Sequence, residues 1–220
     1  MSWSAYLFDL DGVLVRSEQL HQEAYRQACA RHGHRLDWSF ERYCLAAHYG
    51  PERLEEELRA AMPGLLEEIG FAALYGEKSQ IYMHLLSQGV PLQPGAEDVL
   101  QRLKRGRLAH AVVTNSTREQ TALLRRHHAV LDAVEEWVTR EDYAAAKPAP
   151  DAYLEALRRL AVTPDQAIGF EDTPRGLRAL VAAGVPGVLV SSVAYPDLDR
   201  SEPLLAIASL AELPSRFLTE

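Results

Sequence analysis

The chain has little cysteine, no excess of basic residues and no long apolar run, and each shortage narrows what it can be. Two cysteines, Cys29 and Cys44, occur in 220 residues and form no motif. They define no disulfide framework and suit a reducing, cytoplasmic setting. The net charge is −8, and no basic run offsets it. A nucleic-acid surface is therefore not expected, and an anionic substrate must be attracted locally. No apolar stretch approaches the roughly 18 residues of a membrane span, so no membrane partner is expected. The opening MSWSAYLF has neither a basic leader nor a long apolar core, so no signal peptide is expected. Internal repeats and low-complexity segments are also missing. What remains, at 47% hydrophobic and 25% charged, is the composition of a globular protein with a sizeable core.

The most informative stretch is Ala5–Ser17, AYLFDLDGVLVRS. The apolar run Tyr6-Leu7-Phe8 reads as a buried parallel strand. Asp9 and Asp11 follow it, with Gly12 next. Two carboxylates this close repel unless something cationic or a proton relieves them, and Mg²⁺ would do so through oxygen ligands. An Asp-Gly turn between two short strands is the alternative, and the rest of the chain decides between them.

After this strand, residues 14–88 carry helical spacing and no convincing strand. Ser17 is placed to cap a helix to about Arg31, and Gly33 ends it. A second helical stretch covers 37–60, broken near Gly50-Pro51. Pro63-Gly64 reads as a stop, and Leu65–Gln88 is helical again, broken near Gly70. From residue 90 the pattern alternates. Strands are expected at 108–115, Ala133–Val138, QAIGF before Glu171-Asp172, and 186–192. Helices are expected at about 96–104, 117–128, 151–161 and 174–183, with a further short helix near Pro203–Leu210. Alternation of this kind implies an α/β fold: a doubly wound parallel sheet with right-handed crossovers. The expected division is a core of 1–14 and 90–220 with an all-helical insert, 15–89.

In such a sheet the carboxyl ends of the strands lie along one edge. That edge would gather Asp9 and Asp11, Thr114-Asn115-Ser116, Lys147 and Glu171-Asp172. Two acidic pairs, a hydroxyl–amide group and a lysine make up an inventory for metal-assisted phosphoryl transfer. The motifs FDLDGVLVRS, VVTNS, KPAPD and GFEDTPRG resemble, in order and over essentially the whole chain, those of the haloacid dehalogenase-like (HAD) hydrolase superfamily. The likeness is to the subgroup with a helical cap after the first strand, which includes phosphoglycolate phosphatase-like and β-phosphoglucomutase-like enzymes. The resemblance implies a Rossmann-like HAD core, a cap domain and a Mg²⁺ cofactor. It implies that Asp9 is the nucleophile that becomes an aspartyl-phosphate, and that Asp11 is the general acid and base. Thr114, with Asn115 and Gly12, would bind phosphate, and Lys147 would neutralise it. Metal ligands would come from Asp9, the Asp11 carbonyl, Asp172 and Glu171.

Within the family, Asp11 argues against dehalogenase-type and phosphonate-cleaving members, which lack that aspartate. Ser17, His21 and Lys78 resemble polar cap positions turned toward substrate. The mutases grip a second phosphate with a cap arginine, whose place is taken here by Gly50 (with Arg53 nearby). The Thr114-Asn115-Ser116 motif is closer to the phosphatases. The resemblance thus implies a phosphatase acting on a small phosphate ester such as a sugar phosphate, with a mutase as the alternative. A monomer is the default expectation, with cap hinges near Leu14–Ser17 and Ser87–Pro94.

Overall fold

The computed structural model describes residues 3–198 and 203–218. The chain forms two units: one takes in the residues up to Arg16 and from Val90 onward, the other is Ser17–Gly89.

The first unit is built on a six-stranded sheet in the order β3-β2-β1-β4-β5-β6, with every adjacent pair parallel. The strands are β1 (Ala5–Phe8), β2 (Ala109–Val113), β3 (Glu136–Val138), β4 (Ala167–Glu171), β5 (Gly187–Val190) and β6 (Leu205–Ile207). All four β1 residues are buried, as a central parallel strand covered on both faces requires. The same continuous burial runs through β4 and β5. Phe8 stacks on Phe170 at 4.6 Å between ring centroids, locking β1 to β4. The chain builds outward from β1 through β2 and β3, then returns to β4 and builds the other way. The reversal lies between β1 and β4, and in an open α/β sheet the ligand crevice forms at that point.

Numbered in chain order, the helices of this unit are α6 (Ala96–Gly106), α7 (Arg118–His127), α8 (Ala129–Asp132), α9 (Asp151–Leu160) and α10 (Pro174–Ala182). Helix α7 starts on a capping box between Thr117 and Gln120. In α10 the Thr173 side chain accepts from the Gly176 N–H. Thr173 therefore caps the helix, and Glu171 and Asp172 are left for other work.

The second unit contains α1 (Glu18–Arg31), α2 (Phe40–Ala47), α3 (Pro51–Ala61), α4 (Pro63–Ile69) and α5 (Phe71–Ser87). Helices α1 and α5 pack along each other, burying Ala24, Tyr25, Ala28 and Cys29 from one and Leu74, Ile81, Tyr82 and Leu86 from the other.

Several local expectations need correction. The segment expected as a helix near Pro203–Leu210 contains β6, an edge strand held by Leu204 N–H to the Gly187 carbonyl and Ser191 N–H to the Ile207 carbonyl. Helix α3 does end ahead of Pro63-Gly64, at Ala61, but α4 opens on Pro63 itself rather than at Leu65; proline suits a first turn, where its missing N–H has no partner to lose. The strand expected from Ala133 begins only at Glu136, because Ala129–Asp132 adds a helical turn. Ser17 precedes α1 but has helical φ and ψ, and its side chain makes no capping bond.

Candidate active site

Register sets the site. Phe8 pairs with Val112 on one side and Phe170 on the other, so Asp9 comes level with Val113 and Glu171. The Asp9 N–H donates to the Phe170 carbonyl at 2.9 Å, carrying the ladder one residue beyond β1. Thr114 leaves β2 the same way, its N–H donating to the Val138 carbonyl at 2.9 Å. The sheet edge thereby assembles Asp9, Asp11, Gly12, Thr114, Asn115, Lys147, Glu171 and Asp172 in one unit.

Lys147 lies at the centre. Its ammonium donates to Asp9 Oδ1 at 2.6 Å, to Glu171 Oε1 at 2.7 Å and to the Val113 carbonyl at 2.8 Å. Three N–H groups thus meet three acceptors. Its nitrogen also lies 4.8 Å from the centroid of the Tyr153 ring, and the Tyr153 hydroxyl donates to Glu171 Oε1. Burial works against the Lys147 charge, but Asp9 and Glu171 outweigh it, and its pKa is raised. Burial pushes the Asp9 carboxyl up; Lys147 pulls it down, and Glu171 and Asp11 push it up again, leaving it raised.

Asp9, Glu171 and Asp172 can each offer one carboxylate oxygen within 4.8 Å of the others. If all three are ionised, Lys147 leaves negative charge unbalanced. A set of hard oxygen donors with excess negative charge suits a divalent cation such as Mg²⁺. Two glycines make room for these carboxylates. Gly12 has φ +81°, and a Cβ there would come 1.9 Å from Asp172 Oδ2. A Cβ on Gly176 would come equally close, 1.9 Å, to Glu171 Oε2. Gly12 is thus needed both for its backbone and for the space above it.

Asp11 has different company. Ser116 Oγ donates to Asp11 Oδ2 at 2.6 Å, and Thr114 Oγ1 lies 3.4 Å from the same oxygen. The Thr114 hydroxyl also accepts the Ser116 N–H at 2.9 Å. The two aspartates, two residues apart, therefore face different chemistry: an ammonium and carboxylates around Asp9, hydroxyls around Asp11. The turn that follows Asp11 is braced by Gln93, whose side-chain amide donates to the Gly12 carbonyl at 2.7 Å. The Gln93 N–H donates to the Leu14 carbonyl at 2.8 Å.

Ser17, His21 and Lys78 lie in the helical unit. Lys78 Nζ is 2.6 Å from His21 Nδ1. The His21 ring stacks on Tyr82 at 3.8 Å. Lys78 Nζ also lies over the rings of Tyr25, Tyr75 and Tyr82, at 5.2, 5.6 and 5.1 Å from their centroids. Nearby in the same unit, His48 Nε2 and Glu18 Oε2 are 3.0 Å apart. Burial alone would raise Glu18, but His48, His21 and Lys78 bring it down to about 2.

Sequence reasoning did not assign Ser116, Tyr153, Tyr143 or Gln93. Ser116 stood in the quoted TNS motif, and its hydroxyl was the available signal. The other three act across loops, where no local pattern points to them.

The whole arrangement has relatives. The model of the haloacid dehalogenase-like hydrolase family matches residues 3–184. Protein CbbY of Rhodobacter capsulatus is 33% identical over 198 residues, covering 87% of each chain. The phosphorylated carbohydrates phosphatase of Thermotoga maritima is 30% identical over 190 residues, covering 82% of each. A crystal structure of a CbbY variant from Rhodobacter sphaeroides in complex with xylulose-1,5-bisphosphate superposes with a TM-score of 0.72 at 28% identity, covering 96% of each chain. Among the described residues, no helix is long and apolar enough to cross a membrane. With its sheet, its strand-end carboxylates and its matched length, the chain belongs to the haloacid dehalogenase-like hydrolase family.

Proposed function

We propose that this hydrolase cleaves phosphate monoesters of small metabolites of the sugar-phosphate class, through an aspartyl-phosphate on Asp9 and with Mg²⁺ as cofactor. The observation that carries the reading is the division between the two aspartates. Asp9 sits beside the Lys147 ammonium, 2.6 Å away. Asp11 sits beside the hydroxyls of Ser116 and Thr114. One carboxylate is thus set up to carry negative charge to phosphorus, and the other to exchange protons.

Asp9 attacks phosphorus, and the bond from phosphorus to the leaving oxygen breaks. Asp11 gives that oxygen its proton. A water then attacks the phosphorus of the aspartyl-phosphate, Asp11 takes the water's proton, and inorganic phosphate leaves with Asp9 restored. Throughout, Lys147 balances charge on Asp9 and on the transferring group. The Thr114 and Ser116 hydroxyls and the Asn115 N–H line the phosphate's place. Asp9, Glu171 and Asp172, with the Asp11 carbonyl, would hold Mg²⁺, which supplies further positive charge where burial otherwise disfavours an ionised Asp9. Ser17, His21 and Lys78 of the helical unit would recognise the leaving group. The Thermotoga phosphatase, by its name, and the CbbY complex with xylulose-1,5-bisphosphate support the sugar-phosphate class.

The test is hydrolysis of p-nitrophenyl phosphate with Mg²⁺ and after chelation. Activity is expected with the metal, lost without it, and absent in Asp9→Asn while the protein stays folded. Turnover retained in Asp9→Asn would sink the nucleophile assignment. Incubation of β-glucose 1-phosphate with a bisphosphate primer separates the mutase alternative. Glucose 6-phosphate formed without phosphate release would replace the hydrolase reading.

A further inference from the structure

One side chain ties together the two loops that carry Thr114–Ser116 and Lys147. Tyr143 directly follows the 3-10 turn Arg140–Asp142, beyond the end of β3. Its hydroxyl oxygen lies 2.8 Å from the Thr114 carbonyl and 2.7 Å from Asn115 Oδ1. The Lys147 N–H donates to the same Oδ1 at 3.3 Å. That bond fixes which way the amide faces, because the flipped amide would set N–H against N–H. The Tyr143 hydroxyl has one proton, and two acceptors share it. Burial pushes this phenol up to about 12, against the pull of Lys147 and Arg140, so it remains a donor at neutral pH.

The ring is held in place from outside. The Arg140 guanidinium lies 5.3 Å from the ring centroid, and Arg140 Nη1 donates to the Tyr143 carbonyl at 3.0 Å. Asp142 anchors the turn itself. It accepts from the Thr139 N–H and hydroxyl, both at 2.8 Å, and pairs with Arg118 at 2.6 Å and Arg159 at 3.1 Å. The strand ladder closes without the Tyr143 hydroxyl, since the Thr114 N–H already donates to Val138.

We infer that Tyr143 is a positioning residue, which holds the Asn115 amide against the Lys147 backbone and so sets the phosphate-binding loop at a fixed distance from the Lys147 ammonium. The inference rests on the phosphatase reading above and adds a residue to it. Small displacements of groups around a transferring phosphoryl group are costly, because catalysis there is mostly placement and charge.

Tyr143→Phe tests this, because it keeps the ring against Arg140 and removes only the hydroxyl. With p-nitrophenyl phosphate and Mg²⁺, kcat is expected to fall about tenfold, with the thermal midpoint lowered by no more than the roughly 2–4 °C that one lost hydrogen bond costs. Product inhibition by inorganic phosphate is expected to weaken by a similar factor. In an Asn115→Ala background, Tyr143→Phe is expected to add little further loss, because the hydroxyl acts through that amide. Equal and independent losses in both backgrounds would mean a general structural effect and overturn the inference. So would a Tyr143→Phe enzyme with wild-type kcat and phosphate inhibition. A wild-type protein without Mg²⁺-dependent activity would instead overturn the phosphatase reading, and this inference with it.

Discussion

Lys147 and Lys78 are 6% and 5% exposed, yet their ammonium groups are held in different ways. Lys147 spends its three protons on two carboxylates and a carbonyl. Lys78 meets an imidazole nitrogen and the faces of three tyrosine rings. The first setting is anionic and locks the charge into one position. The second combines an imidazole nitrogen and aromatic faces with the pull of the Glu18 carboxylate, whose pKa Lys78 helps to lower. Burial alone therefore says little about what a lysine does. The groups that receive its protons distinguish a fixed counter-charge from a contact group.

The comparison can be broken by exchanging each lysine for methionine, which keeps most of the stem. Lys147→Met should have the largest effect. Fixed positive charge is lost from the transition state, so kcat should fall by at least about 10²-fold. Asp9 and Glu171 are left buried without their partner, so stability should drop by about 3–5 kcal/mol in chemical denaturation. A Lys147→Met protein as stable as wild type would remove the argument that the ammonium is locked. Lys78→Met should cost about 1 kcal/mol or less, because the tyrosine rings accept a thioether as readily as a charge. Its kcat on p-nitrophenyl phosphate should stay within about twofold, while KM for a sugar phosphate rises. A collapse of p-nitrophenyl phosphate turnover would erase the contrast between the two sites.

A third effect concerns acid. The folded pKa of Glu18 is lowered to about 2, below its ordinary 4.5. A depressed carboxyl contributes stability that is present above the unfolded pKa and fades as pH falls from about 4.5 toward 2. Glu18→Gln should therefore be less stable than wild type at pH 7 and should converge with it only below about pH 2. Thermal melts of both proteins across that window check the sign.

Much of this was legible in the sequence, for identifiable reasons. Central parallel strands are continuous apolar runs, so AYLF, AVV and AIGF declared themselves, and each ends abruptly in polar residues. Thr173 before Pro174 marked the start of α10 and separated capping from the acids preceding it. The edge strand β6 was not legible. Its three residues pair only with β5, and Leu-Ala-Ile carries no local preference strong enough to outvote a helical reading. Ser116 stands in the strand-end motif, but nothing in the motif says that its hydroxyl, rather than that of Thr114, reaches Asp11 at 2.6 Å. Tyr143, Tyr153 and Gln93 matter through hydrogen bonds to residues far away in the chain. Such bonds depend on how loops fold back, which neither periodicity nor motif spacing encodes.

The place of β1 in the sheet has a consequence for biosynthesis. Its partners are Ala109–Val113 and Ala167–Glu171, and it lies between them. The ribosome makes Asp9 before either neighbouring strand, and both sides of its strand are covered only after Glu171 has emerged. Until then, the apolar run of β1 has an open edge toward solvent and other nascent chains. The contacts within Ser17–Gly89, by contrast, join residues made close together in time. Translation thus delivers the candidate nucleophile early and completes its surroundings late.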